Sequence, residues 1–216
     1  MEERIRDWEK GTSSPIPPQK YEKFKAKLSE YSSRNKERNL MLFILGRTTG
    51  YRLGDLVGFT IGEIKDALDD GCFSIQESKQ YEQWKTNLVK NHNKKKPEKR
   101  ESLIGKNLEK YLIQYCKGKK RSEYAFPSGK GGGNEHINQK AFSAILTEVG
   151  KSIGLKNISG HSLRKTYATK IYEESNNNLE QVRVALNHQS IEETKRYLGI
   201  KEKMKINAAL IADSDI

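Results

Sequence analysis

Apolar side chains recur at helical spacing through most of the chain, from Leu40 to Leu198. The segment 106–117 illustrates the pattern, because Leu108 and Leu112 are four residues apart within it. Residues at this spacing lie on one face of an α-helix, and such a face is buried against other elements. The pattern therefore predicts a folded domain built mainly from helices.

Glycine and proline residues mark where the predicted helices begin and end. Gly50 interrupts one helical stretch, and three prolines within residues 15–18 exclude a helix before Pro18. We expect a linker or tail over residues 1–17, followed by the folded domain. The predicted helices cover approximately residues 18–31, 35–48, 53–57, 65–69, 106–117, 138–153, 159–174, 179–186 and 191–198, with one more in the tail at 201–212.

One short segment has the pattern of a β-strand instead. Residues 72–76 alternate between apolar and polar side chains and follow an Asp-Gly turn signal. Residues 77–100 are strongly polar, so we expect an extended hairpin or a mobile loop there, with a strand returning near 101–104. Helices combined with a small antiparallel β element place the chain in the α+β class, mostly α.

The charge of the chain favours a polyanionic partner. Lys and Arg number 40 against 28 for Asp and Glu, which gives a formal net charge of +12. Binding to phosphates releases condensed counterions, so a basic protein gains affinity for nucleic acid, although membrane surfaces also attract basic proteins. No apolar run approaches the roughly 18–20 residues of a spanning helix, and residues 1–10 lack the apolar core of a signal peptide.

The two cysteines, Cys72 and Cys116, do not indicate a metal site. They form no CxxC pair, and no histidine lies at zinc-ligand spacing from either. Two free thiols are typical of a reducing compartment. No carboxylate cluster suggests a metal either, so we expect neither a metal nor a cofactor.

The segment Gly-His-Ser-Leu-Arg-Lys-Thr contains a candidate phosphate site. His161 and Arg164 are three residues apart, so they share one face of the predicted helix. Arginine suits phosphate because its planar guanidinium stays charged and donates paired hydrogen bonds. A surface helix with two incidental polar groups explains this segment equally well when it is considered alone.

A second cluster lies in the segment Thr-Gly-Tyr-Arg-Leu-Gly-Asp-Leu. Arg52 follows the glycine break at the start of a helix, where free N–H groups favour anions. Asp55 is one turn further on and is placed to orient a neighbouring cationic group. The alternative is a surface Arg–Asp pair that contributes only a few tenths of a kcal/mol.

Two further segments follow near the C-terminus. His188 lies in the turn Leu-Asn-His-Gln-Ser between two predicted helices, and Tyr197 lies nine residues later in Thr-Lys-Arg-Tyr-Leu-Gly-Ile. A tyrosine at a helical position is most often a core or boundary residue. Tyr197 acquires a functional interpretation only together with the other segments.

Taken together, these four segments resemble the motifs of the tyrosine recombinase, or phage integrase, family. The residue types, their order and their spacing all match, from about Pro17 to Ile200. The resemblance implies a catalytic domain over residues 18–200. It also implies that residues 201–216 form a tail exchanged between protomers. Family members usually carry an N-terminal helical domain, for which the first 18 or so residues are too short.

The resemblance also implies a role for each matching residue. Tyr197 would attack the scissile phosphodiester and form a 3′-phosphotyrosyl link, while Arg52 and Arg164 would stabilise the charge of the transition state. His161 would assist proton removal from Tyr197 or hydrogen-bond the phosphate. His188 stands where the family has a histidine or tryptophan that contacts the phosphate.

The family uses a lysine on a β-hairpin to protonate the leaving 5′-oxygen. Lys79, just after the predicted strand, is our candidate. About twenty extra polar residues follow it before the return strand, so Lys85 and Lys90 remain rivals. A solvated surface charge is the alternative for each of these lysines.

The remaining expectations concern partners. Lys130, Lys165 and Arg196 are candidate contacts to double-stranded DNA. Family members cut DNA as tetramers on two sites, without metal or ATP, so we expect a homo-oligomer on DNA, no membrane partner, and a cytoplasmic, nucleoid-associated location.

Two other functions compete with an active recombinase of mobile genetic elements. The first is a non-catalytic DNA-binding regulator that kept the fold, and the uncertain lysine keeps it open. The second is a type IB topoisomerase, which the segments around His161 and His188 disfavour. A pure DNA-binding protein needs no tyrosine at position 197, so the complete set of residues favours the recombinase.

Overall fold

The computed structural model describes residues 13–89, 95–129 and 134–214. The elements in chain order are a 3-10 turn at Pro18–Lys20 and then α1 (Tyr21–Tyr31), α2 (Lys36–Thr49), α3 (Leu53–Leu56), α4 (Ile61–Asp70), β1 (Cys72–Ile75), α5 (Ser78–Leu88), β2 (Arg100–Leu103), α6 (Lys106–Cys116), α7 (Gln139–Ser152), α8 (Gly160–Glu174), α9 (Leu179–Leu186), α10 (Ile191–Leu198) and α11 (Ile200–Asp213). The α+β, mostly helical class is confirmed. No helix in the described ranges is long and apolar enough to cross a membrane.

Helix α2 is the centre of the main core. It packs against α1, α6 and α8, and its buried residues include Leu42, Phe43 and Leu45. Phe43 stacks on Phe24 of α1 with ring centroids 5.2 Å apart. Because α2 is covered on several sides, its apolar residues are nearly continuous rather than confined to one stripe.

Gly50 ends α2 for a steric reason. Its φ of 62° lies in the left-handed region, and a Cβ at this position would come within 2.2 Å of the Tyr167 ring. The backbone can therefore turn here only with glycine. This turn places Arg52 directly before α3, at its N-cap position.

The two strands form a small antiparallel sheet. Cys72 lies opposite Leu103, and Ile75 lies opposite Arg100. The Tyr51 hydroxyl fixes the sheet to the main core, because it lies 3.1 Å from the carbonyl oxygen of Phe73 and 2.8 Å from that of Arg100.

The connection between the strands differs from the prediction. We expected a hairpin or mobile loop over residues 77–100, but most of the first half is helix α5. The Tyr81 and Trp84 rings of α5 stack with centroids 5.4 Å apart. Tyr81, Trp84 and Leu88 recur at helical spacing, but none is fully buried and polar residues surround them, so the helix was not predicted; tertiary contacts also hold its first turn.

The ordered fold also begins before Pro18. Ile16 is 2% exposed, and its N–H donates to Thr166 Oγ1 at 2.8 Å. Part of the segment predicted as a linker is therefore packed against α8.

Helices α9 and α10 pack on the second half of α8 in a separate apolar cluster. Its buried members among the described residues are Ala168, Val182, Leu186 and Leu198. Asn187 ends α9 in the left-handed conformation with φ of 53°, and the Ser190 side chain accepts from Glu193 N at the start of α10. These two caps shape the turn that carries His188.

Candidate active site

Arg164 is the most firmly held charged residue of the site. Its Nη1 donates to Gly50 O at 2.8 Å and to Glu77 Oε1 at 2.6 Å, and its Nη2 donates to Leu186 O at 2.8 Å. The residue is 5% exposed. Its guanidinium thus joins the end of α2, the start of α5 and the end of α9.

Arg52 converges on the same carboxylate oxygen. Its Nη1 lies 2.9 Å from Glu77 Oε1, and its side chain is 22% exposed. That Nη1 is buried and has no well-directed hydrogen bond among the described residues. The two arginines predicted from separate motifs are therefore brought together around one negatively charged oxygen.

Glu77 and Arg100 belong to this cluster, and neither was predicted from the sequence. The Glu77 side chain is fully buried, and Arg100 Nη1 lies 3.8 Å from its Oε1. Arg100 also donates to Thr49 O and to Ala185 O. The available signal was the strand alternation, because continuing it past Ile75 puts Glu77 on the buried face.

His161 lies in the first turn of α8, three residues before Arg164. Partial burial lowers the pKa of His161, and the charges of Arg52, Lys79 and Arg164 lower it further. The imidazole is therefore neutral near pH 7 and able to accept a proton.

Lys79 lies in the first turn of α5 and is exposed. Its ammonium is close enough to His161 to depress that residue's pKa. Lys85 has other partners, since its Nζ lies 3.0 Å from Glu82 Oε1 and 4.5 Å from the Tyr81 ring centroid. Lys90 lies outside the described residues.

His188 and Tyr197 are in direct contact. Their rings meet edge to face with centroids 5.3 Å apart, and His188 Nδ1 lies 3.1 Å from Thr194 Oγ1. Burial lowers the pKa of His188 to about 4, which Glu193 partly opposes. Burial raises the pKa of Tyr197 to about 12, although Arg164 and Arg52 act in the other direction. Without DNA, both groups are neutral near pH 7.

Asp55 does not have the partner that we expected. Its Oδ1 accepts from the backbone N–H of Ser78 at 3.1 Å, and no cationic side chain among the described residues pairs with it. Ser78 is the first residue of α5, and the N–H groups of a first helical turn have no partner within the helix. Asp55 therefore caps the helix that carries Lys79.

Two of the three candidate DNA contacts lie within the described residues. Arg196 is exposed on α10 next to Tyr197, and Lys165 is partly buried on α8 next to Arg164. Lys130 lies outside the described residues.

The fold and the clustered arginines, histidines and tyrosine define a catalytic domain of the tyrosine recombinase type. The sequence profile of the phage integrase family matches residues 16–204. The chain therefore belongs to the phage integrase family, and its recognition from sequence is confirmed.

Several individual proteins are similar to this chain. The probable integrase/recombinase YoeC of Bacillus subtilis (strain 168) is 29% identical over 175 residues, which cover 81% of this chain and 84% of YoeC. The XerA recombinase structure has a TM-score of 0.60 at 16% identity, covering 93% of this chain and 66% of XerA.

Several of the similar structures contain DNA, and two of them illustrate the likeness. XerH bound to its palindromic difH substrate in a post-cleavage complex has a TM-score of 0.61 at 20% identity, covering 93% of this chain and 53% of XerH. The Tn1549 transposon integrase bound to circular intermediate DNA has a TM-score of 0.58 at 13% identity, covering 85% of this chain and 61% of the integrase. This chain thus spans about half to two thirds of the solved structures that it matches.

Proposed function

We propose that this protein recombines or integrates double-stranded DNA at specific sites through a covalent 3′-phosphotyrosyl intermediate at Tyr197. The observation that carries the proposal is the convergence of Arg52 and Arg164 on one anionic oxygen, beside the paired rings of His188 and Tyr197. Two guanidinium groups around one oxygen suit a non-bridging phosphate oxygen and stabilise the charge that grows on it during attack.

The proposed cleavage step uses only the protein's own groups. The Tyr197 hydroxyl oxygen attacks phosphorus and its proton passes to His161, which is neutral near pH 7. The bond from phosphorus to the 5′-oxygen breaks, and Lys79 donates a proton to that oxygen. His188 would hydrogen-bond the phosphate.

Rejoining reverses these transfers. A 5′-hydroxyl attacks the phosphotyrosyl link, gives up its proton to Lys79, and releases Tyr197. Because the covalent link conserves the phosphodiester bond energy, the cycle needs no ATP. We further propose that exchange of strands takes place in a homo-oligomer near the nucleoid, in the cytoplasm.

Helix α11 supports the oligomer proposal. Met204, Leu210 and Ile211 are large apolar residues that are 66%, 53% and 62% exposed in the single chain. An apolar surface of this kind favours a protein partner. We therefore propose that residues 18–200 form the catalytic domain and that residues 201–216 contact a neighbouring protomer.

The first test is a covalent trapping experiment. A nicked suicide duplex carries the site found at the flanks of the gene, and a denaturing gel detects a protein–DNA adduct. We expect an adduct with the natural sequence and none with Tyr197→Phe. Tyr172→Phe is the matched control, because Tyr172 packs against the same small apolar cluster on α8.

The second candidate function is a DNA-binding regulator without catalysis. Glu77 favours it, because this buried carboxylate already neutralises part of the arginine cluster. DNA binding without an adduct in the trapping experiment would support the regulator and contradict the recombinase.

A further inference from the structure

A reciprocal pair of hydrogen bonds joins Gln80 to Asn187. Gln80 Nε2 donates to the backbone oxygen of Asn187 at 2.8 Å, and Asn187 Nδ2 donates to Gln80 Oε1 at 3.1 Å. The two residues are 107 positions apart in the chain. One side-chain amide thus uses both its donor and its acceptor on a single partner residue.

Each member of this pair is adjacent in sequence to a residue of the proposed active site. Gln80 directly follows Lys79 in the first turn of α5, and Asn187 directly precedes His188. The pair therefore connects the segment carrying the proposed proton donor to the turn beside the proposed nucleophile. Gln80 itself contacts neither the phosphate site nor Tyr197 in any described hydrogen bond.

The residues on the other side of Lys79 are held as well. The Glu77 carboxylate is buried between Arg52 and Arg164, and the Ser78 N–H donates to Asp55. Lys79 is exposed. The backbone is therefore fixed before and after this residue, while its long side chain extends from the protein surface.

We propose that Gln80 is a positioning residue, which holds Lys79 through Asn187 so that the lysine ammonium meets the leaving 5′-oxygen. The inference rests on the proposed function. Contacts at Glu77 and Ser78 hold the residues before Lys79, and the bonds from Gln80 hold the residue after it. The bonds to Asn187 place the first turn of α5 relative to the turn that carries His188.

The chemistry makes this prediction specific. In cleavage, the bond between Tyr197 Oη and phosphorus forms, and the bond from phosphorus to the 5′-oxygen breaks. The leaving oxygen takes a proton from Lys79 Nζ, and the lysine becomes a neutral amine. A misplaced Lys79 would impair this proton transfer and leave the attack by Tyr197 intact.

A substrate with sulfur in place of the bridging 5′-oxygen separates these two steps. A thiol has a pKa of about 8.5, so a thiolate departs without being protonated, unlike an alkoxide. The experiment measures the rate of adduct formation by the full chain on suicide duplexes with bridging oxygen or bridging sulfur. Lys79→Ala provides the reference for complete loss of the proton donor.

We expect Gln80→Ala to slow cleavage of the oxygen substrate by about 10- to 100-fold, within the contribution of a general acid. On the sulfur substrate, it should react within about threefold of the natural sequence, since no proton is needed there. Gln83→Ala is the matched control, because Gln83 is an exposed glutamine on the same helix. It should match the natural sequence on both substrates.

Asn187→Gly is a second variant, which removes only part of the Gln80–Asn187 interaction. Glycine accepts the left-handed φ of 53° and keeps the backbone acceptor for Gln80, so only one of the two hydrogen bonds is lost. We expect a smaller loss than with Gln80→Ala on the oxygen substrate, and the same recovery on sulfur.

Three outcomes would overturn the inference. An equal loss on both substrates would show that Gln80 acts on the fold or on the nucleophile, and no loss on the oxygen substrate would show that the pair is dispensable. No adduct from the natural sequence on either substrate would overturn the proposed function and this inference with it.

Discussion

The two apolar clusters of this protein differ greatly in extent. The main cluster runs from Ile16 to Leu163 and is built from α1, α2, α4, α6, α7 and neighbouring segments. The second has Ala168, Val182, Leu186 and Leu198 as its buried members among the described residues. The main cluster supports the arginine site, whereas the second supports His188 and Tyr197.

This difference indicates how the site is assembled. Arg164 is tied to carbonyl groups from both regions, since it bonds Gly50 at the end of α2 and Leu186 at the end of α9. Elements with few buried contacts open locally at a lower free energy than the global unfolding reaction. We therefore expect the phosphate site to be rigid and the placement of the nucleophile to depend on a region that opens more readily.

The largest expected effect comes from Glu77, which joins the two regions electrostatically. Glu77→Ala leaves the buried Arg164 and Arg100 and the partly buried Arg52 without their shared carboxylate, and removing one partner of a buried ion pair costs about 3–5 kcal/mol. Urea denaturation should show this loss in the free energy of unfolding.

Added sulfate provides the control for this variant. An anion can occupy the vacated position between the arginines, so sulfate should stabilise Glu77→Ala more than it stabilises the natural sequence. Equal stabilisation of both proteins would show that the arginines do not form an anion site.

A matched pair of leucine truncations tests the comparison directly. Leu42 and Leu186 are both fully buried, one in each cluster. Leucine-to-alanine substitutions in a core cost about 2–5 kcal/mol. We expect Leu42→Ala to lower the global free energy of unfolding, and Leu186→Ala to lower mainly the free energy of opening of α9 and α10.

Hydrogen exchange resolved by residue distinguishes these effects. Faster exchange confined to α9 and α10 in Leu186→Ala, with a reduced yield of covalent adduct, is the expected result. Exchange that accelerates equally throughout the described helices in both variants would mean that the molecule opens as one unit.

The smallest of these effects concerns pH. The pKa of His188 is about 4 in the folded chain against 6.5 for an unperturbed histidine, so the unfolded chain binds the proton first as the pH falls. The free energy of unfolding is therefore unaffected by protonation of His188 above pH 6.5. It falls as the pH drops from 6.5 towards 4, by about 3 kcal/mol at most.

Unfolding curves between pH 4.5 and 8 measure this dependence. His188→Asn should flatten the decline on the acid side, and α9 and α10 should lose exchange protection before the main core does. An identical pH profile in the variant and the natural sequence would contradict this account of His188.

The sequence predicted the helices well where apolar spacing was regular. The predicted helix at 179–186 has the observed bounds of α9, and that at 191–198 has those of α10. Two of the four motifs contain Arg52 and Arg164, which meet at Glu77, and the other two contain His188 and Tyr197, whose rings are in contact. Each of these predictions depended on local spacing or on a motif contained in a few consecutive residues.

The sequence did not reveal α5 or the roles of Glu77, Arg100 and Gln80. Glu77 is a charged residue in a polar stretch, and its burial depends on arginines from α3, β2 and α8. The partner of Gln80 is 107 positions away, and no local pattern connects the two residues.

The sequence alone determined the helical α+β class, the family and the set of residues proposed to act on phosphate, because periodicity and motifs are properties of neighbouring residues. Only the tertiary structure decided that Asp55 caps α5, that Glu77 lies between Arg52 and Arg164, and that Gln80 bonds to Asn187. Burial and pairing of charges depend on distances between segments far apart in the chain, and these distances exist only once the core has packed.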